Sequence, residues 1–500
     1  MAAKSVGSKT RPVTGRGNEP VAARLQSAAR AAARDVKQAE AILVGILNDE
    51  PANSDALRLY GGILRKTGRL AEARALLQAA ATGNPNSSDI RVGLGLVYRD
   101  LGDAPEAIRS FESALEVDPD SWYALCNLGT VLRETGQFDD ACERFVAALR
   151  INPSLPEAWN GLARSARYDE APPYLDDIKA VAENAHPMEH RVQALYALAK
   201  ILDDIGDYGE AFEYAERANS ISRKPAAIDL GPAFLQRVDS YFTDARLQSL
   251  PRLTVNDIEP GPTPVFVLGM PRSGTTLMEQ FFAAHPHTSC AGETNFFGDW
   301  GHTTENRLPR PDQYPEATDS LTAPILKDMR KRFFRCFDMS DGPLVLVDRT
   351  PFNYAYLPVI SAVLPDARII HLMRDDYDRG ISIFLNEFAP VYPFTRSLQG
   401  IGEYSVAYRR LMTRWHETAV LPILDIQYED FVSDPEGHGR RILEFCGLDW
   451  DEACLQFYRS NRLVSTPSDW QVRQPMYTSS IGRGGYYKDF LGPLRDALGE

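Results

Sequence analysis

The segment Val265-Phe-Val-Leu-Gly-Met-Pro-Arg-Ser-Gly-Thr-Thr-Leu277 is the most informative part of the sequence for the fold of the C-terminal half. Its first four residues form a short apolar run, as in a strand that is buried on both faces of a parallel sheet. A glycine-bearing loop follows, and Thr275 to Ala284 has the pattern of a helix that ends before Pro286. A strand, a glycine loop and a helix N-terminus present backbone N–H groups and a positive dipole end to an anion. The segment therefore predicts an α/β fold with a phosphate-binding loop.

The loop differs from the nucleoside triphosphate loop G-x-x-x-x-G-K-[ST] at one decisive position. Gly269 and Gly274 keep the spacing, but Thr275 stands where that loop has its lysine. The lysine reaches the β and γ phosphates beside Mg²⁺, so its replacement disfavours ATP or GTP hydrolysis. Arg272 supplies a cation from within the loop instead. The loop also offers hydroxyl donors from Ser273, Thr275 and Thr276.

A period of 34 residues organises the N-terminal part of the chain. Prolines, glycines, alanines and large apolar residues recur with it: Pro51, Pro85, Pro119, Pro153; Gly61, Gly95, Gly129; Gly68, Gly102, Gly136; Ala39, Ala73, Ala107, Ala141; Leu43, Leu77, Phe111, Phe145. This is the period of tetratricopeptide repeats, each of which is a pair of antiparallel helices. Glycine at the turn ends the first helix, and the large residue four places after the alanine fills the seam between helices. The pattern predicts an all-α superhelix over residues 21–224, with a degenerate unit near Val192 to Arg223.

The segment Pro271 to Leu277 resembles the 5′-phosphosulfate loop of the sulfotransferases that use 3′-phosphoadenosine 5′-phosphosulfate (PAPS). Together with the repeats, the chain is similar to bacterial tetratricopeptide-repeat sulfotransferases and, more distantly, to tyrosylprotein sulfotransferases. The likeness runs from about Pro264 to Leu498. It implies a three-layer, P-loop-like α/β domain with a parallel sheet. It also implies that Arg272 to Thr276 bind PAPS as a co-substrate and that no metal is required.

These patterns predict a multidomain chain. The predicted order is a disordered tail (1–20), the repeats (21–224), a helical linker (225–260) with one helix over Pro232 to Arg246, and the sulfotransferase domain (261–500). A repeat superhelix offers a concave surface to a peptide or protein partner. The alternative is that the repeats form a homodimer interface or buttress the second domain.

Composition limits the classes of partner that we expect the chain to bind and the cellular compartment in which we expect it. The net charge of −14 disfavours nucleic acid and strongly acidic acceptors, although a local basic pocket remains compatible with it. The six cysteines have no Cys-x-x-Cys spacing and the histidines no metal-ligand spacing, so we expect reduced thiols and no metal site. No apolar stretch is long enough for a membrane span or a signal peptide, which predicts a cytoplasmic protein.

A second phosphate contact is predicted after the apolar run Ala367 to Met373. Arg374 follows this predicted strand, at the edge where open α/β sheets bind ligands. Ser382 falls in the next predicted helix. The spacing resembles the 3′-phosphate motif of the family, which implies that Arg374 and Ser382 bind the 3′-phosphate. The alternative is a structural arginine that pairs with Asp375 or Asp378.

The resemblance adds three further donor contacts. Tyr428 follows the strand-like run Ile423 to Ile426 and resembles the family tyrosine near the nucleotide; the alternative is a core tyrosine. Ser480 and Arg483 are similar to residues of the family's closing segment that reach the donor. Relatives usually have tryptophan after that basic residue, where this chain has Gly484.

Glu293 is the candidate general base, since the sequence Gly-Glu-Thr294 resembles the segment with the catalytic glutamate of the family. We expect residues 289–291 to form a strand beside the first strand, with Glu293 at its carboxyl end. The alternatives are a surface glutamate or a helix cap, with His371, His285 and His287 as rival bases. Arg349 follows the apolar run Leu344 to Val347 and stands where relatives tend to have lysine. It is a candidate for neutralising the bridging oxygen as the bond breaks.

The predicted reaction is an in-line transfer of a sulfuryl group from PAPS to a hydroxyl acceptor, which could belong to a protein, a glycan, a lipid or a small molecule. Tyrosylprotein sulfotransferases place basic residues just after the catalytic glutamate, whereas residues 294–300 contain no Lys or Arg. An acidic tyrosine peptide is therefore disfavoured. The alternatives are a repeat scaffold with a non-catalytic nucleotide-binding domain, and a P-loop kinase.

Overall fold

A computed structural model describes residues 20–32, 34–186, 188–222, 229–298, 313–460, 462–464, 466 and 468–500. Residues 1–19, most of the predicted tail, lie outside the described residues, as do residues 223–228 where the repeats were predicted to meet the linker. The chain divides into two compact units, the first ending at Val131 and the second beginning at Leu132. The four predicted domain ranges stay a prediction.

The first unit is built of helix pairs. Its helices are α1 (Val21–Ala32), α2 (Val36–Asp49), α3 (Ser54–Lys66), α4 (Leu70–Gly83), α5 (Ser88–Asp100), α6 (Ala104–Val117) and most of α7 (Trp122–Glu134). Asn53 and Ser87 cap α3 and α5 by accepting N–H groups of the first turn. Gly68 and Gly102 have φ angles of 77° and 79°, the left-handed conformation in which glycine ends a helix. The predicted helical repeat is thus confirmed.

The seam within each pair is closed by the residues that carry the period. A Cβ atom placed on Gly61 of α3 would lie 2.7 Å from Cγ of Leu77 in α4. On Gly95 of α5 it would lie 2.6 Å from Cε1 of Phe111 in α6. Only glycine allows this approach, and Leu77 and Phe111 are buried in the seam, as the sequence predicts.

The second unit begins with the remaining repeat helices. They are α8 (Phe138–Ile151), α9 (Pro156–Ser165), α10 (Leu175–Asn184), α11 (Met188–Asp204) and α12 (Tyr208–Ile221), followed by α13 (Pro232–Tyr241) and α14 (Asp244–Ser249). The pair α11 and α12 is the predicted degenerate unit. The single helix expected over residues 232–246 was wrong, because Thr243 is extended and caps a new helix by accepting the N–H of Arg246.

A parallel sheet follows in the second unit. The described strands β1 (Thr263–Leu268), β2 (Thr288–Cys290), β3 (Val345–Asp348), β4 (Arg368–Met373) and β5 (Ile423–Gln427) form one five-stranded sheet. Every pair in it is parallel. The expected runs therefore form strands, and their carboxyl ends meet at one edge, where ligands bind in open α/β sheets.

The strand order corrects one expectation. The order is β2-β3-β1-β4-β5, so β2 lies beside β3 and not beside β1. Residues of β3 are all buried, whereas those of β2 are half-buried. The more apolar strand takes the inner position, since an inner strand is covered on both sides. Arg349, directly after β3, is thereby placed between the loop after β1 and Glu293 after β2.

Helices cover both faces of the sheet. They are α15 (Thr275–Ala283), α16 (Ala323–Phe334), α17 (Leu357–Val363), α18 (Asp376–Phe384), α19 (Leu398–Thr418), α20 (Tyr428–Ser433), α21 (Pro435–Cys446) and α22 (Gly492–Leu498). Val265 and Val267 of β1 pack with α15 and α21, whereas Phe266 and Leu268 pack with α16, α17 and α19. Alternate residues of one strand thus face two separate cores, which is the predicted three-layer arrangement. Among the described helices, we find none that combines the length and the apolar character needed to cross a membrane.

Candidate functional site

The glycine loop joins β1 to α15 at the carboxyl edge of the sheet. Gly274 precedes the first turn of α15 with a φ of 103°, and a Cβ atom there would lie 2.7 Å from Cδ2 of Tyr428. Both the conformation and the close contact therefore require glycine. The first N–H groups of α15, which begin at Thr275, have no acceptor within the helix. The loop is built as an anion cradle.

Arg272 is held in this loop with a φ of 68°, which is uncommon for a residue other than glycine. Its Nε donates to Oγ of Ser382 at 2.9 Å and its Nη1 to Oγ of Ser468 at 2.8 Å. Burial and the neighbouring Arg374 lower the pKa of Arg272 to about 10, so the guanidinium stays charged at neutral pH. A buried cation facing other cations would be stabilised by a bound anion.

Arg374 lies beside Arg272 at the end of β4. Its Nη1 donates to the carbonyl oxygen of Arg272 at 3.0 Å and its Nη2 to that of Ser480 at 2.9 Å. Its guanidinium lies 4.6 Å from the centre of the Tyr428 ring. Nε of Arg374 is buried and has no hydrogen-bond partner in the part of the chain that the structure describes. An unused buried donor at this position is suited to an anionic ligand.

The alternative role for Arg374, a pair with Asp375 or Asp378, does not occur in the structure. Asp375 caps α18 by accepting the N–H groups of Tyr377 and Asp378. Asp378 accepts the N–H groups of Gly482 and Gly484, each at 2.7 Å. Both carboxylates are occupied by backbone donors.

The remaining predicted donor contacts lie around the same cleft. Hydroxyl groups of Tyr428 and Ser480 share a hydrogen bond of 2.8 Å. Arg483 forms an ion pair with Asp203 of α11. Ser273 is fully buried, and its Oγ has no partner among the described residues. Oγ1 of Thr276 lies 3.5 Å from Oγ1 of Thr466.

Two adjoining cavities make up the cleft. The smaller, of about 120 Å³, is lined by the glycine loop, Glu293, Pro351 and residues 474–477. The larger, of about 660 Å³, is lined by Ser382, Arg483 and residues of α9 and α11. Both are bordered by Arg272, Arg374, Phe388, Tyr428, Gln471 and Tyr477. Of the predicted phosphate contacts, Arg272 and Arg374 thus border both cavities, whereas Ser382 lines only the larger one.

Glu293, which lines the smaller cavity, forms an ion pair with Arg349. The guanidinium of Arg349 donates through Nη1 to Glu293 and through Nε to Glu279. Burial alone would lower the pKa of Arg349, but the two carboxylates raise it overall. Glu293 is the more exposed of the two carboxylates, with 41% of its side chain accessible to solvent, against 4% for Glu279. The arrangement can present one carboxylate to a substrate in a fixed orientation.

Glu279 is the residue that sequence reasoning missed. It lies in α15 between Met278 and Gln280 and is buried, which is rare for a glutamate without a charged partner. Arg462 lies 3.5 Å from its other oxygen. A charged residue on the buried face of the loop helix was the available signal, and it points to an internal ion pair.

The rival histidines lie elsewhere. His371 is buried within β4, where Nδ1 contacts Asp425 at 2.6 Å and Nε2 contacts the hydroxyl of Tyr408. Among the described residues, His371, His416 and Asp425 form a group of metal-binding side chains, with ligand atoms within 4.8 Å of one another. Nε2 of His285 contacts the carbonyl oxygen of Asp449 at 3.0 Å. None of these residues lines the two cavities. The expected absence of a metal stays a prediction.

Comparison with known proteins gives different families for the N-terminal and the C-terminal parts of the chain. Residues 264–452 match the sulfotransferase family, and residues 30–96, 92–156, 126–185 and 192–225 match tetratricopeptide repeat families. An uncharacterised protein of Aquifex aeolicus is 31% identical over 330 residues, covering 63% of this chain and 42% of that protein. Protein-tyrosine sulfotransferase A of Caenorhabditis elegans is 25% identical over 211 residues, covering 38% and 51%.

A solved structure of the sulfotransferase domain from the Synechococcus PCC 7002 olefin synthase is also similar. Its TM-score is 0.33 at 22% identity, over 45% of this chain and 89% of that domain. The chain spans about half the length of the curated relatives named above.

Proposed function

We propose that this chain transfers the sulfuryl group of PAPS to a hydroxyl acceptor. The proposal builds on the matches of the chain to tetratricopeptide repeat families and to the sulfotransferase family. The observation that carries the proposal is the convergence of Arg272 and Arg374 at the glycine loop, with Nε of Arg374 buried and unpartnered among the described residues. A donor with 5′-phosphosulfate and 3′-phosphate groups matches two neighbouring cations at the start of a helix.

The binding roles follow from the positions of the side chains. The loop from Arg272 to Thr276 would bind the 5′-phosphosulfate. Arg374 and Ser382 would bind the 3′-phosphate. Tyr428, Ser480 and Arg483 would border the nucleoside. The larger cavity leaves room for a nucleotide beside Ser382, since it measures about 660 Å³.

Transfer would proceed as an in-line displacement. The acceptor oxygen attacks sulfur, the bond between sulfur and the bridging oxygen breaks, and the electron pair remains on the leaving phosphate. Glu293 takes the acceptor proton, which yields a sulfate ester and adenosine 3′,5′-bisphosphate. Arg272 and the loop N–H groups stabilise the charge that develops on the sulfuryl and phosphate oxygens. No step calls on a metal ion, so we expect chelators to leave the reaction unchanged.

Arg349 would contact both the general base Glu293 and the bridging oxygen of the donor. It orients Glu293 through one nitrogen and is itself held by Glu279. A guanidinium has five N–H donors, so further donors are available for the bridging oxygen. Lysine, which relatives tend to have here, is a point donor and could not hold two carboxylates in this planar way.

The acceptor is proposed only as a class, a hydroxyl group on a protein, glycan, lipid or small molecule. Residues 294–298, directly after Glu293, contain no Lys or Arg that could bind an acidic peptide. The repeats are proposed as a surface for a protein or peptide partner; their use as a homodimer interface is the competing proposal. Light scattering on the purified chain separates these two, since a dimer doubles the mass of 55.7 kDa.

Calorimetry tests the nucleotide assignment directly. We expect adenosine 3′,5′-bisphosphate to bind more tightly than ATP, because ATP lacks the 3′-phosphate and Thr275 replaces the lysine of ATP-binding loops. Tighter binding of ATP would indicate a kinase and contradict the proposal. Incubation with radiolabelled PAPS and a cell extract then tests transfer, and binding without any labelled product would indicate a non-catalytic nucleotide-binding domain.

A further inference from the structure

Two chain segments that follow the family match complete the cleft. The match ends at residue 452. The first closing segment, residues 468–477, lines the cleft through Ser468, Gln471 and Tyr477. The second closing segment, residues 479–487, lines it through Ser480 and Arg483. Regular structure in them is limited to short 3₁₀ turns, Gln471–Arg473 and Arg483–Tyr487. Their positions therefore depend on side-chain contacts rather than on a backbone hydrogen-bond ladder.

The first closing segment is attached to repeat helices. Asp469 is 1% exposed and forms ion pairs with Arg133 at the end of α7 and with Arg164 of α9. Nη2 of Arg164 also donates to the carbonyl oxygen of Thr466 at 2.8 Å. Arg473 donates to the carbonyl oxygen of Glu134 at 2.9 Å. A buried carboxylate paired in this way is costly to separate from its partners.

The same segment contacts the glycine loop on its other side. Oγ of Ser468, the residue before Asp469, accepts from Nη1 of Arg272 at 2.8 Å. The pKa of Arg164 is lowered by burial and then by the neighbouring positive charges of Arg133 and Arg272. Asp469 pairs with the repeat cations Arg133 and Arg164. It is also the next residue in sequence after Ser468, which contacts Arg272 of the proposed phosphosulfate loop.

The second closing segment is attached to α11. The carboxylate of Asp203 accepts from Arg483 and, at 2.7 Å, from the hydroxyl of Tyr487. On the other side of the segment, Asp378 accepts the N–H groups of Gly482 and Gly484. Two residues before the first of these anchored residues, the carbonyl oxygen of Ser480 accepts from Arg374. Asp203 thereby holds the backbone that Arg374 contacts.

We propose that the last repeats are part of the nucleotide site, and that Asp203 and Asp469 are positioning residues that hold the two closing segments over the donor. The proposal rests on the proposed function, because it takes PAPS as the ligand of the cleft. The repeat helices also share the hydrophobic core of the second domain, since Ala199 of α11 and Phe212 of α12 pack in the same cluster as Phe266 of β1. The repeats therefore serve the reaction itself as well as any partner they bind.

The test uses the full chain with the variants Asp203→Asn and Asp469→Asn. We expect each to raise the Kd for adenosine 3′,5′-bisphosphate by about tenfold or more, because each removes a charge-assisted anchor. Asp366→Asn is the matched control. Its carboxylate forms a two-bond ion pair with Arg330 at 2.7 and 2.8 Å, lines neither cavity and precedes β4 at the opposite edge of the sheet. We expect the control to bind as the unmodified chain does.

Further variants separate positioning from folding. Asp203→Glu retains the charge, so it should restore most of the affinity that Asp203→Asn loses. Arg164→Gln leaves Arg133 on Asp469, so it should stay folded by circular dichroism and lose less affinity than Asp469→Asn. If folded Asp203→Asn and Asp469→Asn bind the nucleotide as tightly as the control, the proposal is overturned. Failure of the unmodified chain to bind would instead refute the proposed function, and the positioning role with it.

Discussion

Nε of Arg272 donates to Oγ of Ser382 at 2.9 Å, which joins the glycine loop after β1 to helix α18 after β4. The first residue is predicted to contact the 5′-phosphosulfate and the second the 3′-phosphate. Their direct contact means that the two proposed phosphate sites share one set of donors. A ligand with a single phosphate would use only part of this arrangement, so a bisphosphate nucleotide should bind with higher affinity.

Arg272→Ala should weaken binding of adenosine 3′,5′-bisphosphate by about tenfold to 150-fold. A hydrogen bond to a charged group contributes about 1.5–3 kcal/mol, and each 1.4 kcal/mol is about tenfold in Kd. Arg272→Lys should recover part of the loss, since it keeps the charge but not the planar donors. Titration calorimetry measures both. Unchanged affinity in Arg272→Ala would show that the loop does not bind the nucleotide.

Arg374→Ala should act selectively on the 3′-phosphate. We expect the Kd for adenosine 3′,5′-bisphosphate to rise by about tenfold or more, while that for adenosine 5′-monophosphate changes by less than about twofold. The two nucleotides are compared by calorimetry on the same preparation. An equal loss for both would assign Arg374 to the 5′-phosphate or to folding.

Glu293→Gln should abolish transfer without abolishing donor binding. General-base catalysis contributes about 100-fold to 10,000-fold, and the glutamine amide has nearly the same shape without the basic oxygen. Label transfer from PAPS measures the first quantity and calorimetry with adenosine 3′,5′-bisphosphate the second. A collapse of nucleotide affinity would make Glu293 a structural residue.

Glu279→Gln should lower the transfer rate through Arg349 while nucleotide affinity stays within about twofold of the unmodified value. Glu279 holds Arg349, and Arg349 orients Glu293, so a small displacement of the base reduces the rate. Removing one carboxylate also withdraws a group that raises the pKa of Arg349. A rate equal to that of the unmodified chain in the transfer assay would show that Glu293 is held by other contacts.

Adjacent glycines in α3 should respond in opposite directions to alanine. Gly61→Ala would place a Cβ atom 2.7 Å from Leu77 and lower the free energy of unfolding by about 1–3 kcal/mol. Gly62→Ala meets nothing within 4 Å and should raise it by about 0.5–1 kcal/mol, because alanine restricts the unfolded chain. Urea denaturation followed by circular dichroism compares them. A change of the same sign in both would contradict the close seam with Leu77.

Features that depend on near neighbours along the chain could be predicted from the amino-acid sequence. The repeats follow from a 34-residue period, and the loop from thirteen consecutive residues, Val265 to Leu277. Helix stops at Gly68 and Gly102 and the seam contact of Gly95 with Phe111 are likewise local. Such features are readable because a helix pair or a loop is specified by spacing, turn chemistry and side-chain size within a few tens of residues.

Contacts between residues far apart in the sequence became known from the folded structure. It placed β3 between β1 and β2, which brings Arg349 to Glu293 across 56 residues and to Glu279 across 70. It also attached Arg483 to Asp203 across 280 residues. Ion pairs of this kind have no period and no spacing rule, because folding selects partners by burial and strand order. Candidate residues for the site could therefore be proposed from the sequence, whereas their ion-pair partners could not.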